Sequence, residues 1–235
     1  MQAIGPPPPP PGYQPSADGL PRAPHSGSGS RLWLVRHAEV AERWHEVAYG
    51  SMDVELSEAG ERATRQLARA FASQEVSAVL ASDLDRARRM GQGIAGVTGC
   101  PLKTTPRLRE MNRGEWQGLS RAEFTARWSA QADAYWSDPY RWHVPGGEGD
   151  ERLFLRAWPA VGEALARLDG GTLVVAAHGQ LIRVLASRAL GLSVPESYGL
   201  YLDPAHGTCL VDEADGWRLA ARNLEADELR EWEPR

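Results

Sequence analysis

Cysteine is scarce: Cys100 and Cys209 are the two in 235 residues. Two are too few for a disulfide framework or a cysteine-based zinc site. A surplus of basic residues is missing as well. The formal net charge of −5 argues against non-specific nucleic-acid binding, which needs a positive surface. No apolar run approaches the length of a membrane span, and the N-terminus lacks the basic-then-apolar pattern of a secretory signal. The glycine-rich dinucleotide fingerprint is absent after the first strand, as is the Walker A lysine loop, which argues against either common nucleotide fold. No internal repeat is present. What remains, 42% hydrophobic and 24% charged, fits a soluble globular protein. A cytoplasmic protein without partners among nucleic acids or membranes is expected.

Proline and glycine are concentrated rather than scarce. Pro6 to Pro11 is an unbroken proline run and residues 26–30 alternate Ser and Gly. The first favours polyproline II and the second a flexible coil. Residues 1–30 are therefore expected to form a disordered tail. From Arg31 the pattern changes to alternating strands and helices. Leu32-Trp33-Leu34-Val35 is a buried-strand pattern that ends in Arg36-His37. Ser57 is a predicted N-cap, with Glu58 and Glu61 in the first turn of a helix over 58–72. A strand is expected over 76–81, then a helix capped by Ser82 or Asp83 that carries Arg86. A short strand is expected over 102–105, a charged glycine-rich loop over 107–118, and a helix over 121–135. Residues 136–149 read as irregular. A helix over 150–168 should kink or split at Pro159. A second buried strand, 173–177, ends in His178-Gly179 and leads into a helix over 180–190. Residues 208–211 and 217–221 read as a hairpin around Ala214-Asp215-Gly216. Residues 223–235 read as a charged tail or short helix.

Alternating β and α elements imply an α/β fold: a three-layer α/β/α sandwich with a mostly parallel central sheet. Ligands in such sheets bind at the carboxyl ends of the strands. Two strands that each end in a histidine thus suggest one site with two imidazoles. Arginine presents a planar fork of donors that matches phosphate oxygens. A neutral imidazole can attack phosphorus, and a second can donate to the equatorial oxygens. Arg36, His37, Arg86 and His178 together suit phosphoryl transfer, with side chains supplying the cations and no metal required. His45, His143 and His206 have no partner at metal-ligand spacing.

An ordered series of motifs resembles the histidine phosphatase superfamily, the phosphoglycerate mutase-like proteins. It comprises Leu34-Val35-Arg36-His37, Asp53 with Leu56-Ser57-Glu58-Ala59-Gly60, and Ser82-Asp83-Leu84-Asp85-Arg86-Ala87. It continues with Leu108-Arg109-Glu110, Gly114-Glu115-Trp116-Gln117-Gly118, Pro145-Gly146-Gly147-Glu148 and Ala177-His178-Gly179. The resemblance covers most of residues 31–190 and implies a catalytic domain over 31–222, with a small helical insert over the active site. It implies that His37 is the nucleophile, that Arg36, Arg86 and His178 form the phosphate pocket, and that Glu110 protonates the leaving oxygen. Arg109 and Arg113 beside Glu110 would oppose an acid role unless it is buried or they point away. Glu115, and more weakly Asp83 and Asp85, are alternatives. Ala38 stands where the family usually has Gly, and Val40 and Arg43 where it often has Thr and Asn. Arg43, Arg141, Trp142 and Gly179 are the expected substrate contacts. Trp128, Tyr135, Trp136 and Tyr140 either line the site mouth or pack the insert.

The expected activity is metal-independent hydrolysis of a small phosphate monoester through phosphohistidine, resembling α-ribazole phosphatases of the family, with no cofactor. A cofactor-dependent phosphoglycerate mutase is the nearest alternative, and a non-catalytic phospholigand- or protein-binding module is a rival of another class. The expected partner is a small phosphorylated metabolite; a homodimer is left open.

Overall fold

A computed structural model describes residues 21–138 and 143–233. The described residues form one six-stranded sheet in the order β3-β2-β4-β1-β5-β6. The strands are β1 (Arg31–Arg36), β2 (Ala78–Ser82), β3 (Leu102–Thr105), β4 (Thr172–Ala177), β5 (Gly207–Glu213) and β6 (Gly216–Leu224). Strands β3, β2, β4 and β1 run parallel, and β5 and β6 add an antiparallel edge. The expected α/β sandwich with a mostly parallel sheet is thus the fold observed.

Period-two alternation builds both layers. Leu32, Leu34, Leu80, Leu173, Val175 and Ala177 face one side of the sheet. They meet α5 (Asp150–Ala166) and α6 (Gly179–Leu190) through Leu153, Phe154, Ala157, Val161, Leu181 and Leu185. Trp33, Val35, Val79, Ala81, Val174 and Ala176 face the other side. They meet α1 (Glu58–Ala70) and α2 (Asp85–Thr98) through Leu67, Met90 and Ile94. Strands buried on both faces read as continuous apolar runs, which is why β1 and β4 are so plain in the sequence.

Several boundaries differ from expectation. Helix α5 runs unbroken through Pro159; Phe154, Ala157, Trp158 and Val161 bury around that point, and packing outweighs one lost backbone bond. The helix expected over 121–135 is two: α3 (Arg121–Arg127) and α4 (Ser129–Ser137). Trp128 departs from helical geometry between them, while Ser120 and Glu123 close a capping box at the first. Neither Ser82 nor Asp83 caps α2: its N-cap is Leu84, and the Asp85 N–H donates instead to Asp53 Oδ1 at 2.9 Å. The insert formed by α3 and α4 has its own small core of Trp116, Phe124, Ala132 and Val144. The Trp116 and Phe124 rings stack at 4.4 Å. It is joined to residues 46–48 by Ala48 N–H to Leu119 O and Arg121 N–H to Glu46 O. The expectation for Trp128 resolves toward packing against this core. Those for Tyr140, Arg141, Trp142 and the side chains of Tyr135 and Trp136 fall outside what is described.

The N-terminal tail is corrected in part. Residues 1–20 lie outside the described residues, but residues 22–30, expected within the disordered tail, are docked on the domain. Ser26, Gly27 and Ser28 all donate to the buried Asp212 carboxylate on β5, at 2.6–3.1 Å. Ala23 is buried and its N–H donates to Arg188 O. Composition could not reveal this, because the partner is a single carboxylate far along the chain. At the other end β6 continues to Leu224 and α7 (Ala226–Glu231) packs on the sheet through the buried Leu229. Trp232 meets the Trp33 ring edge-on at 5.0 Å. No described helix is long and apolar enough to cross a membrane.

Burial raises the Asp212 pKa, but hydrogen bonds from Ser26, Gly27 and Ser28 outweigh it and hold the carboxyl below its usual 3.8. Its contribution to stability is present above that value and is lost as pH falls through the depressed one. Asp212→Asn should cost about 1.5–3 kcal/mol in urea unfolding near neutral pH and remove amide-exchange protection at residues 26–28. Unchanged unfolding and unchanged protection would contradict the strap.

Candidate active site

The four parallel strands each deliver one group to the same edge of the sheet. His37 follows β1, Arg86 lies in the first turn of α2 after β2, Glu110 lies in the loop after β3, and His178 follows β4. The β1–β4 register pairs Arg36 with Ala177, and the His37 N–H extends the ladder to Ala177 O at 3.0 Å. The next residues on both strands are the histidines, so their rings lie beside each other with centroids 5.2 Å apart. Both are buried.

The tautomer of His37 is fixed by its neighbour. Nδ1 lies 2.7 Å from Ala38 O; a carbonyl only accepts, so Nδ1 carries the proton and Nε2 keeps its lone pair. Arg86 Nε donates to that Nε2 at 3.3 Å. Burial first, and then the charges of Arg86 and Arg36, push the His37 pKa well below 6.5, against a raising bond from Ala38 O. His178 is held well below 6.5 by burial, then by Arg86 and further by His37, Arg156 and Arg36. Both imidazoles are neutral at pH 7. Ala38, in place of glycine, is fully buried and does not need positive φ.

Arg86 is fully buried. It donates through Nη1 to Met52 O at 2.7 Å and through Nη2 to Gly50 O at 2.8 Å, and lies 5.1 Å from the Tyr49 ring centroid. Gly50 holds φ of +43°, and a side chain there would strike Met111 O at 2.6 Å. Only glycine turns this carbonyl onto the guanidinium without strain. Arg36 donates through Nη1 to Leu202 O at 2.6 Å and Tyr201 Oη at 3.0 Å. Its Nε is buried without a hydrogen-bond partner, as are both ring nitrogens of His178. A Cβ on Gly179 would sit 3.1 Å from that Nε, so glycine at the start of α6 lets Arg36 lie against the helix N-terminus. Buried polar atoms normally find partners. Three without one, facing the start of a helix beside two guanidinium groups, make a site suited to a tetrahedral oxyanion.

Glu110 is held by backbone. Its Oε1 accepts from Met111 N at 2.8 Å and Leu181 N at 3.2 Å, and its Oε2 from Gln180 N at 3.0 Å. Its charge raises the pKa of Arg86 and of Tyr49 against other influences. Arg109 points away, pairing with Asp83 through Nε at 2.8 Å and Nη2 at 2.6 Å. That pairing also occupies Asp83, and Asp85 is occupied by Arg88 and Arg89. Glu115 is exposed on a short turn. The alternatives to Glu110 are thus engaged or lie outward.

The structure does not bring Arg43 into this cluster. It pairs with Glu55 at 2.7 Å and its side chain is 69% exposed. Arg141 and Trp142 lie outside the described residues. Tyr49, Tyr201 and the carbonyls of Gly50 and Met52 escaped the sequence reading. Nothing in sequence ties a carbonyl to a guanidinium 36 positions away.

Similarity to known proteins agrees with this geometry. The glucosyl-3-phosphoglycerate phosphatase of Mycolicibacterium vanbaalenii is 31% identical over 171 residues, spanning 70% of this chain and 76% of that protein. The probable phosphoglycerate mutase GpmB of Erwinia tasmaniensis is 29% identical over 162 residues, spanning 69% and 75%. The solved structure of mycobacterial glucosyl-3-phosphoglycerate phosphatase superposes with a TM-score of 0.75 at 29% identity, covering 83% of this chain and 99% of that one. The α-ribazole phosphatase of Shigella flexneri, at 20% identity and a TM-score of 0.73 over 83% of this chain and 96% of that one, shares the fold. The family profile described as histidine phosphatase superfamily (branch 1) matches residues 32–225. With two neutral imidazoles and two arginines converging at the strand ends, and a profile match spanning nearly the whole described domain, this chain belongs to the histidine phosphatase superfamily.

Proposed function

We propose that the protein hydrolyses small phosphate monoesters through a phosphohistidine at His37. The observation that carries this reading is the 2.7 Å contact of His37 Nδ1 with Ala38 O, which leaves a buried Nε2 lone pair beside two guanidinium groups and the unpartnered nitrogens of His178. The substrate phosphoryl group sits where Arg36 Nε, Arg86 and His178 can donate to its oxygens. Nε2 attacks phosphorus, the P–N bond forms as the bond to the leaving oxygen breaks, and Glu110 as its acid gives that oxygen a proton. The Glu110 carboxylate then takes a proton from water. The water oxygen attacks phosphorus, the P–N bond breaks, and inorganic phosphate leaves with His37 neutral again. Charge on the transferring group is offset by fixed donors that need no reorganisation.

A mutase shares the first half of this reaction and differs in the acceptor. The likeness to the GpmB protein makes dependence on a bisphosphate primer the discriminating assay. A non-catalytic binding module would not need a lone pair aimed into an oxyanion site. Glucosyl-3-phosphoglycerate, phosphoglycerates and α-ribazole phosphate form the first substrate screen.

His37→Ala should abolish turnover of every ester the wild type hydrolyses, a loss of at least about 10³-fold; retained turnover would remove His37 as nucleophile. Because Arg36 and Arg86 supply the positive charge, wild-type turnover should survive a chelator, and its loss would place a metal in the reaction. The ring-proton resonances of His37 and His178 should stay those of neutral imidazole at pH 6.5 and titrate below it. Since both groups take up protons more readily when unfolded, stability should fall as pH drops from 6.5. A half-protonated ring at pH 6.5 would contradict the buried neutral pair.

A further inference from the structure

The loop that carries Glu110 is gripped from behind by one side chain. Arg156, on α5, donates through Nη1 to Arg107 O at 2.7 Å and through Nη2 to Arg109 O at 2.7 Å and Glu110 O at 3.2 Å. Nε meets Glu148 Oε1 at 2.6 Å, and Nη2, shared with those carbonyls, also reaches Oε2 at 2.9 Å. Glu148 holds the far side of the loop, accepting from Asn112 N at 3.0 Å while its own N–H donates to Asn112 O at 2.9 Å. The pair is sheltered, with side-chain exposures of 24% and 18%. We propose that Arg156 and Glu148 form a positioning clamp for the acid, setting where the Glu110 carboxyl stands and so serving proton transfer at the leaving oxygen rather than attack by His37.

The geometry separates the two tasks. His37, Arg86 and Arg36 are held by other contacts, to Ala38, Gly50, Met52 and Leu202. The clamp touches none of these. It fixes the loop backbone on both sides of Glu110, while the amides of Gln180 and Leu181 receive the carboxylate itself. A carboxyl held at both its backbone and its oxygens keeps one position, and proton transfer depends on that position within hydrogen-bond reach. Only a guanidinium can do this here, because a planar fork satisfies three carbonyls and a bidentate carboxylate together, whereas an ammonium is a point charge.

This inference rests on the phosphatase reaction proposed above, and the test separates the two. Wild type, Arg156→Lys and Glu148→Gln are compared on p-nitrophenyl phosphate, whose phenolate leaves without a proton, and glycerol phosphate, whose alkoxide needs one. Circular dichroism and thermal melts accompany each variant. The expected result is a loss in kcat/KM of about 100-fold for the glycerol ester in both variants, with the nitrophenyl ester nearly unchanged. A rapid burst of nitrophenol should also appear in the variants, because Glu110 must activate water to clear phosphohistidine. Equal losses on both esters, or no loss on either, would overturn the clamp while leaving the reaction intact. A wild type that hydrolyses neither ester and forms no phosphoenzyme would overturn the reaction and the clamp with it.

Discussion

Parallel pairing of β1 with β4 is the constraint on which the site depends. Its register sets Arg36 opposite Ala177, and each strand is buried on both faces. A slip of one residue would turn Trp33 and Val35 toward the layer built for Leu32 and Leu34, and likewise on β4. The apolar cores above and below therefore hold the two imidazoles side by side at 5.2 Å. The histidines are not placed by contacts with each other. They are placed by two hydrophobic layers that could not form in any other register.

The second element is the burial of charge beside neutral rings. Taking a guanidinium out of water is costly unless its donors are satisfied. Arg86 meets this with two loop carbonyls and the face of Tyr49, which leaves Nε directed at His37. Burial first, and then the same positive charge, keeps both imidazoles unprotonated. An oxyanion that neutralises it completes a set of donors that stand partly unsatisfied without it. Electrostatic cost in the free protein and affinity for a phosphoryl group thus have one origin.

Much of this was legible in the sequence, for physical reasons. Strands buried on both faces produce uninterrupted apolar runs, so β1 and β4 and the residues at their ends stood out. The ordered motifs single out Glu110, which is otherwise one carboxylate among several. What was hidden depends on contacts between distant segments. The Asp212 strap on residues 26–28, the Gly50 and Met52 carbonyls on Arg86, and the Arg109–Asp83 pair that clears the way for Glu110 leave no local pattern. Arg43 misled for the same reason: its position in the motif suggested a phosphate contact, and Glu55 was a closer partner. Pro159 misled in the other direction, since a local helix rule yielded to the packing of α5.

The central claim is that His37 acts through Nε2, because Ala38 O holds the proton on Nδ1. Rapid acid-free quenching of wild type during turnover, followed by peptide mapping and phosphorus NMR of the isolated phosphopeptide, tests it directly. The account predicts one acid-labile phosphoryl group on His37, bonded at Nε2. A phosphoryl group at Nδ1, on another residue, or on none during active turnover would contradict it.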